Sequence, residues 1–283
     1  MLRDQTLAVL GAGNIGGALI GGLLRGDPGS ASGAGLPAAQ LRATRRSAER
    51  GAELAARFPG VAVGTDNAAA VRGADLVLVS VKPQNAAGLL AEIRPHLAAG
   101  ALVVSTLAGV TTAAIAEALG GGVPVVRAMP NTPALVDEGA TAVAAGAHAG
   151  PRHLEMARAV FAAVGLVETV QESLMDAVTG LSGSGPAYVF MLIEALTDAG
   201  VKQGLPRSVA LTLSTQTVLG AARLVQETGR HPAILRDEVT TPGGTTIAAV
   251  AELEKHGLRT MLIDAVATAT ARSRELSRLD DDG

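Results

Sequence analysis

Up to about residue 165 the chain alternates short apolar runs with stretches whose apolar residues recur every three or four positions. The runs Leu7–Leu10, Leu41–Thr44, Val61–Val63, Leu76–Val81, Leu102–Leu107 and Val123–Ala128 predict strands, with a weaker one at Thr141–Ala145. Helical periodicity marks Asn14–Leu24, Ser47–Arg57, Asn67–Val71, Gln84–Leu97 and Thr112–Leu119. Strands that are apolar along both faces and separated by helices imply a mostly parallel sheet covered on both sides. The Gly/Ser/Pro-rich stretch Asp27–Gln40 reads as a mobile loop without chemistry.

Strand signals fade after Val167–Val170, and long helices follow. One runs from Pro186 towards Ala199 with Gly200 as its stop, and a second from near Pro206 to near Gly229. A third covers roughly Thr246–His256 up to Gly257, and the last covers Leu258–Leu279 before the solvated Asp280–Asp282 tail. Their apolar faces are broad, as at Val189, Leu192, Ile193 and Leu196, or Leu211, Leu213, Val218 and Leu219. Four such helices barely close a core, so they are expected also to build a subunit interface. The fold expected is α/β: a Rossmann-like, doubly wound domain at residues 1–165, then an all-α domain at 166–283 that binds substrate and dimerises.

Composition narrows the function. The chain has 283 residues, 35 of them Gly, yet four aromatic side chains, Phe58, Phe161, Tyr188 and Phe190. That scarcity argues against a base-stacking surface, and the net charge of −3 gives no basic footprint for a nucleic-acid backbone. The lack of Cys excludes disulfides and thiol catalysis and fits a cytoplasmic protein. Five His at 96, 148, 153, 231 and 256 show no ligand spacing, so no metal is expected. Thr6–Leu24 carries no charge, but six Gly and Asn14 dilute it too far for a membrane span.

The first chemical motif is Gly11-Ala12-Gly13-Asn14-Ile15-Gly16, after a strand and at the opening of a helix. In a dinucleotide site the first Gly makes the turn, the second admits the pyrophosphate, and the third lets helix and strand pack closely. In so Gly-rich a chain, coincidence is the competing explanation, and the correct context on both sides argues against it. An NAD site would place an acid about 20 residues further on, at the end of the second strand. Here that strand ends at Thr44-Arg45-Arg46-Ser47, and two guanidiniums with a hydroxyl suit a 2′-phosphate. The cofactor expected is therefore NADP(H), with NADH possible but less favoured. A solvated basic helix start is the plainer alternative.

Four further segments carry a family resemblance: Ser80-Val81-Lys82-Pro83-Gln84, Met129-Pro-Asn-Thr-Pro133, Leu181-Ser-Gly-Ser-Gly-Pro-Ala-Tyr188 and Thr240-Thr241-Pro242-Gly243-Gly244-Thr245-Thr246. In order and spacing they resemble the Δ1-pyrroline-5-carboxylate reductases, which complete proline synthesis. The resemblance implies that Ser80–Pro83 lies against the nicotinamide-side ribose and phosphates, Asn67 near the adenine ribose, and Thr106–Ala108 near the nicotinamide. It implies reduction of pyrroline-5-carboxylate to L-proline by hydride from NADPH, and a homodimer through the helical domain, possibly built into larger rings.

The substrate of that family carries a carboxylate and a cyclic imine. Gly243 and Gly244 can turn successive amides one way, and Thr245 and Thr246 open a helix whose first amides are unpaired, an arrangement that binds small anions without Arg. An ordinary capped turn competes for Gly and Pro taken singly, but it leaves four hydroxyls in one turn unexplained. Thr241, Gly243, Gly244, Thr245 and Thr246 are thus the candidate substrate residues, and the resemblance points to Thr246 as catalytic, with its hydroxyl at the imine nitrogen. For Leu181–Tyr188, a wall of the site competes with a helix cap at Ser184 or Gly185. A β-hydroxyacid dehydrogenase is disfavoured because Val189 stands where its Lys would act. An imine reductase of another substrate and a non-catalytic NADP-sensing protein remain as alternatives.

Overall fold

The computed structural model describes residues 2–26 and 35–279. Two compact units share the chain: one runs up to Ser184 and takes in the chain from Thr268 onward, and the other is Gly185–Ala267. The expected boundary at 165/166 falls inside the first unit, because Gly165 opens a strand that completes the sheet.

In chain order the first unit contains β1 (Leu7–Leu10), α1 (Asn14–Arg25), β2 (Leu41–Thr44), α2 (Ala48–Arg57), β3 (Ala62–Gly64), α3 (Asn67–Val71), β4 (Leu76–Val79) and α4 (Ala86–Ile93). It continues with β5 (Leu102–Ser105), α5 (Thr112–Ala118), β6 (Val125–Met129), β7 (Gly139–Ala145), α6 (Pro151–Ala162), β8 (Gly165–Thr169) and α7 (Met175–Val178). The strands form one sheet in the order β3-β2-β1-β4-β5-β6-β7-β8. Only the β6–β7 pairing among them is antiparallel. Alternate residues of each strand face opposite layers, and both layers are apolar. Leu7, Val9, Leu76 and Leu78 pack with Leu19, Leu23 and Phe161 of α1 and α6, while Ala8, Leu10, Val77 and Val79 pack with Val71, Leu90 and Ile115 of α3–α5. Such two-sided burial explains why these strands read as near-continuous apolar runs.

The second unit holds α8 (Gly185–Lys202), α9 (Arg207–Thr228), α10 (Pro232–Glu238), α11 (Thr245–Lys255) and the first part of α12 (Leu258–Leu279). Gly200 does not stop α8 as expected. A Cβ there would lie 3.0 Å from the Ala210 Cβ, so this Gly serves the close packing of α8 on α9, and Gly204 with φ +99° ends the segment instead. The expected cap at Ser184 or Gly185 is also absent. A π-helical stretch, Thr179–Gly183, runs directly into α8. Helices α6, α7 and α10 were not among the expected elements. The expected loop at 27–40 lies at residues 27–34 outside the described chain, and Ala38–Gln40 form a single 3₁₀ turn. The Asp280–Asp282 tail is likewise outside it. Among the described residues no helix is long and apolar enough to cross a membrane.

Candidate functional site

The strand order reverses between β1 and β4, and in open α/β sheets that point is where ligands settle. The segments that leave the sheet there are Gly11–Gly13 and Ser80–Pro83. The glycine loop is strapped from both sides. Thr44, buried at the end of β2, accepts a hydrogen bond on its hydroxyl from the Gly11 amide (3.3 Å) and on its carbonyl from the Ala12 amide (2.9 Å). The Ser80 amide donates to Leu10 across the gap to β4 (2.9 Å).

Each glycine of the motif answers a different steric demand. Gly11 has φ +75°, and a Cβ there would lie 2.5 Å from Val81 Cγ1 and 2.9 Å from the Ser80 carbonyl. Gly16 is buried, and its Cβ would lie 3.0 Å from Val9 Cγ1, so it sets the approach of α1 to β1. Gly13 is the N-cap of α1 with no side chain capping it, which leaves the first amides of that helix open. Together they form a backbone cradle at a helix N-terminus suited to a pyrophosphate.

A cavity of about 660 Å³ opens beside this cradle, lined by Gly11, Gly13, Arg45, Arg46, Ser47, Arg50, Ser80, Val81, Lys82 and Asn85. It gathers eight of the expected cofactor residues, and adds Arg50 and Asn85, which sequence reasoning missed. A smaller cavity of about 190 Å³ takes in Ala12 and Asn14 and shares Gly13, Arg45 and Arg50. Ile15, Gly16, Asn67, Pro83, Thr106 and Ala108 line neither. Asn67 instead donates to Glu92 (3.0 Å), Pro83 opens a 3₁₀ turn, and Thr106 donates through both amide and hydroxyl to Val79 at the end of β4. The expected positions thus separate into residues that line the cavity and residues that shape or flank it. The donor set fits NADP(H) on the structure's own terms: four cations line the larger cavity, and the Arg45 Nε is buried with no partner.

Arg127 is a further feature that the sequence pattern hid. It sits in β6, almost wholly buried, with Nη1 3.9 Å from Glu172. Burial pushes its guanidinium below its ordinary pKa, against the opposing pull of Glu172 and Asp176. Glu172 accepts from both the amide (2.7 Å) and the hydroxyl (2.6 Å) of Thr112, and Asp176 accepts from Ser273 of α12 (2.7 Å). Asn131 likewise joins the Met129–Pro133 and Leu181–Tyr188 segments, donating to Ser182 (3.3 Å) and accepting from the Ala140 amide (2.9 Å).

In the second unit, Thr240–Thr246 forms a turn into α11. Gly243 has φ +68°, and the Gly244 amide donates to the Thr241 carbonyl (2.9 Å). A Cβ on Gly244 would collide with Thr241 Oγ1, so neither glycine tolerates a side chain without rearrangement. Gly244 is the N-cap of α11 and supplies no side-chain acceptor to its first amides. The hydroxyls of Thr241, Thr245 and Thr246 make no hydrogen bond among the described residues, whereas Thr240 donates to the Asp237 carbonyl (2.8 Å). The turn therefore presents free amides and free hydroxyls together. Both arginines that precede the turn are held by acids: Arg236 by Asp237 (2.9 Å), and Arg230 by Glu238, whose carboxyl is drawn below the usual carboxylate range by that contact.

Comparisons with known proteins agree across both units. Residues 172–276 match the family model for pyrroline-5-carboxylate reductase dimerisation, and residues 6–109 match that for coenzyme F420-dependent NADP oxidoreductases. The pyrroline-5-carboxylate reductase of Methanosarcina acetivorans is 42% identical, over 98% of this chain and 100% of its own length. The structure of a pyrroline-5-carboxylate reductase from Coxiella burnetii superposes with a TM-score of 0.88 at 36% identity, covering 96% of this chain and 98% of that one. The Plasmodium falciparum pyrroline carboxylate reductase, solved with NADP bound, gives 0.83 at 28% identity, covering 97% and 98%.

Proposed function

Because this chain belongs to the pyrroline-5-carboxylate reductase family, we propose that it reduces Δ1-pyrroline-5-carboxylate to L-proline with NADPH as reductant. The observation that carries the substrate side is the Thr240–Thr246 turn, which brings together helix amides and hydroxyls that have no partner among the described residues. The amides at the start of α11 hold the carboxylate. The Thr246 hydroxyl orients the ring by hydrogen-bonding its nitrogen. A threonine is too weak an acid to protonate an imine, so the substrate is taken up as its iminium and the residue acts by positioning. NADPH, when bound, supplies the hydride to C5 of the ring. Gly11–Gly13 and Ser80–Lys82 are the residues that would hold its phosphates and ribose, with Arg45, Arg46 and Ser47 at the adenosine end.

The assembly side rests on the helices of the second unit. Phe190 and Met191 of α8 are 63% and 69% exposed, and Ile263 of α12 is 67% exposed. Large apolar side chains left exposed on these helices mark an interaction surface, and a second copy covers them in a homodimer. A ring of such dimers and a cytoplasmic location complete the reading. Light scattering tests the first, and cell fractionation the second.

The decisive experiment follows NADPH and NADH oxidation with pyrroline-5-carboxylate in parallel and measures the proline formed. No proline with either cofactor overturns the reading. With Thr246→Ala, kcat/KM is expected to fall on the order of 10- to 1000-fold, and an unchanged value removes the role assigned to that hydroxyl.

A further inference from the structure

Two segments of the family pattern, Met129–Pro133 and Leu181–Tyr188, take no part in the chemistry above, and one side chain joins them. Asn131 heads the 3₁₀ turn Thr132–Val136, a place where Asn ordinarily caps the amides that follow, yet its side chain makes no such cap. Both of its polar groups reach elsewhere. Its Oδ1 accepts from the Ala140 amide near the start of β7 (2.9 Å), and its Nδ2 donates to the carbonyl and to the hydroxyl of Ser182 (3.3 Å each). The Ala140 N–H needs an oxygen opposite it, which fixes the way the carboxamide points.

Ser182 lies in the π-helical stretch Thr179–Gly183, where the Ser184 amide donates to the Thr179 carbonyl five residues back (2.8 Å). In an α-helix the Ser182 carbonyl would take the amide of residue 186, but that residue is Pro and has none. Asn131 supplies the missing donor from outside the helix. The first unit ends at Ser184 and α8 starts at Gly185, so the width of this turn sets the direction in which α8 leaves. Turns of this wide kind recur at functional sites. In the functional reading the hydride donor belongs to a sheet unit and the ring to the Thr240–Thr246 turn of a helical unit, so their alignment depends on how α8 is launched. Resting on that reading, we propose that Asn131 is a positioning residue for hydride transfer: by holding Ser182 it fixes the π turn, and through α8 the alignment of the substrate ring with the nicotinamide. It acts through Ser182 and needs no contact with either ligand.

The test compares the full-length wild type with Asn131→Ala, Asn131→Asp and Ser182→Ala, using NADPH with hydrogen or deuterium at the transferred position. Asn131→Ala is expected to lower kcat about tenfold or more, while the NADP⁺ dissociation constant and the KM for pyrroline-5-carboxylate stay within about twofold, because misalignment spares binding. The primary isotope effect on its kcat equals or exceeds the wild-type effect, which places the loss on the transfer step; a smaller effect places it on release and overturns the proposal. Asn131→Asp keeps the acceptor for Ala140 and loses the donor to Ser182, so it follows Asn131→Ala. Ser182→Ala removes one of the two acceptors and lowers kcat about two- to threefold. A lower melting temperature with wild-type kcat marks a merely structural residue and overturns the proposal, as does a fall in kcat matched by an equal loss of NADP⁺ affinity. If Asn131→Ala does not fold, the near-isosteric Asn131→Asp and Ser182→Ala decide, and wild-type rates in both overturn it. A wild type that forms no proline overturns the functional reading and this assignment with it, whereas a wild type that forms proline and is matched by Asn131→Asp overturns this assignment alone.

Discussion

The two units are built from the same small aliphatic residues but use them in opposite ways. In the sheet unit, Leu7, Leu10, Leu19, Leu76 and Phe161 are completely buried, and both faces of the sheet are closed by helices of that unit. In the helical unit, α8 and α9 bury one residue each, Thr197 and Ala210, while Phe190, Met191, Leu211 and Leu213 remain at least half exposed. A single layer of helices cannot surround its own apolar stripe, whereas a sheet between two helical layers can. Identical chemistry thus yields a self-sufficient core in one place and an unfinished one in the other. The difference lies in the number of layers.

The contrast breaks most visibly in the helical unit. Phe190→Asp combined with Ile263→Asp is expected to dissociate the assembly and abolish proline formation, since each charge placed in a desolvated interface costs about 2–5 kcal/mol. Light scattering and the coupled assay read the two effects, and an unchanged mass would place the interface elsewhere. In the sheet unit the largest single effect should come from Gly11→Ala. The positive φ and the 2.5 Å approach to Val81 together cost about 3 kcal/mol, measured by urea unfolding. Glu172→Ala removes the carboxylate facing Arg127. Taking away the nearer of the two acids that face that buried guanidinium should cost at most about 3 kcal/mol, lessened by the partial exposure of Glu172 and by Asp176, which remains.

The smallest effect is expected at Glu238. Its folded pKa lies below the unfolded one, so its pairing with Arg230 contributes above the unfolded pKa and is lost as pH falls through the folded value. Both groups are exposed, so Glu238→Gln should leave the melting temperature at neutral pH without a resolvable shift, and the two proteins should coincide in acid. A clear difference at pH 7 would show that the ion pair supports the neighbouring turn.

Most of the sheet unit was legible because its strands are apolar on both faces and its glycine motif sits between a strand and a helix. The ends were less so. Apolar character persists through Val81 and Leu107, but the strands stop at Val79 and Ser105, where the chain turns away to flank the cofactor cavity. Helix α6 escaped notice because Arg152, His153 and Glu155 interrupt the apolar residues of its first turns. Arg127 was hidden inside Val125–Met129, and its partner lies 45 positions further along at Glu172, a distance over which no local pattern carries information. Nothing in the local sequence marks Arg50, which the fold sets in the same cavity as Arg46. Gly200 shows the converse error, since a residue type that often ends helices here lets two of them touch.

Helix α12 begins in one unit and finishes in the other, where Thr270 and Ser273 are buried and Ser273 holds Asp176. The sheet unit is therefore interrupted in the gene by the whole of the helical one. A growing chain has all eight strands and both layers in hand, yet lacks the last piece of the first unit until the second has been translated. The earlier-made unit is finished last, and a chain stopped after the helical segment leaves the Asp176 carboxylate without its hydroxyl.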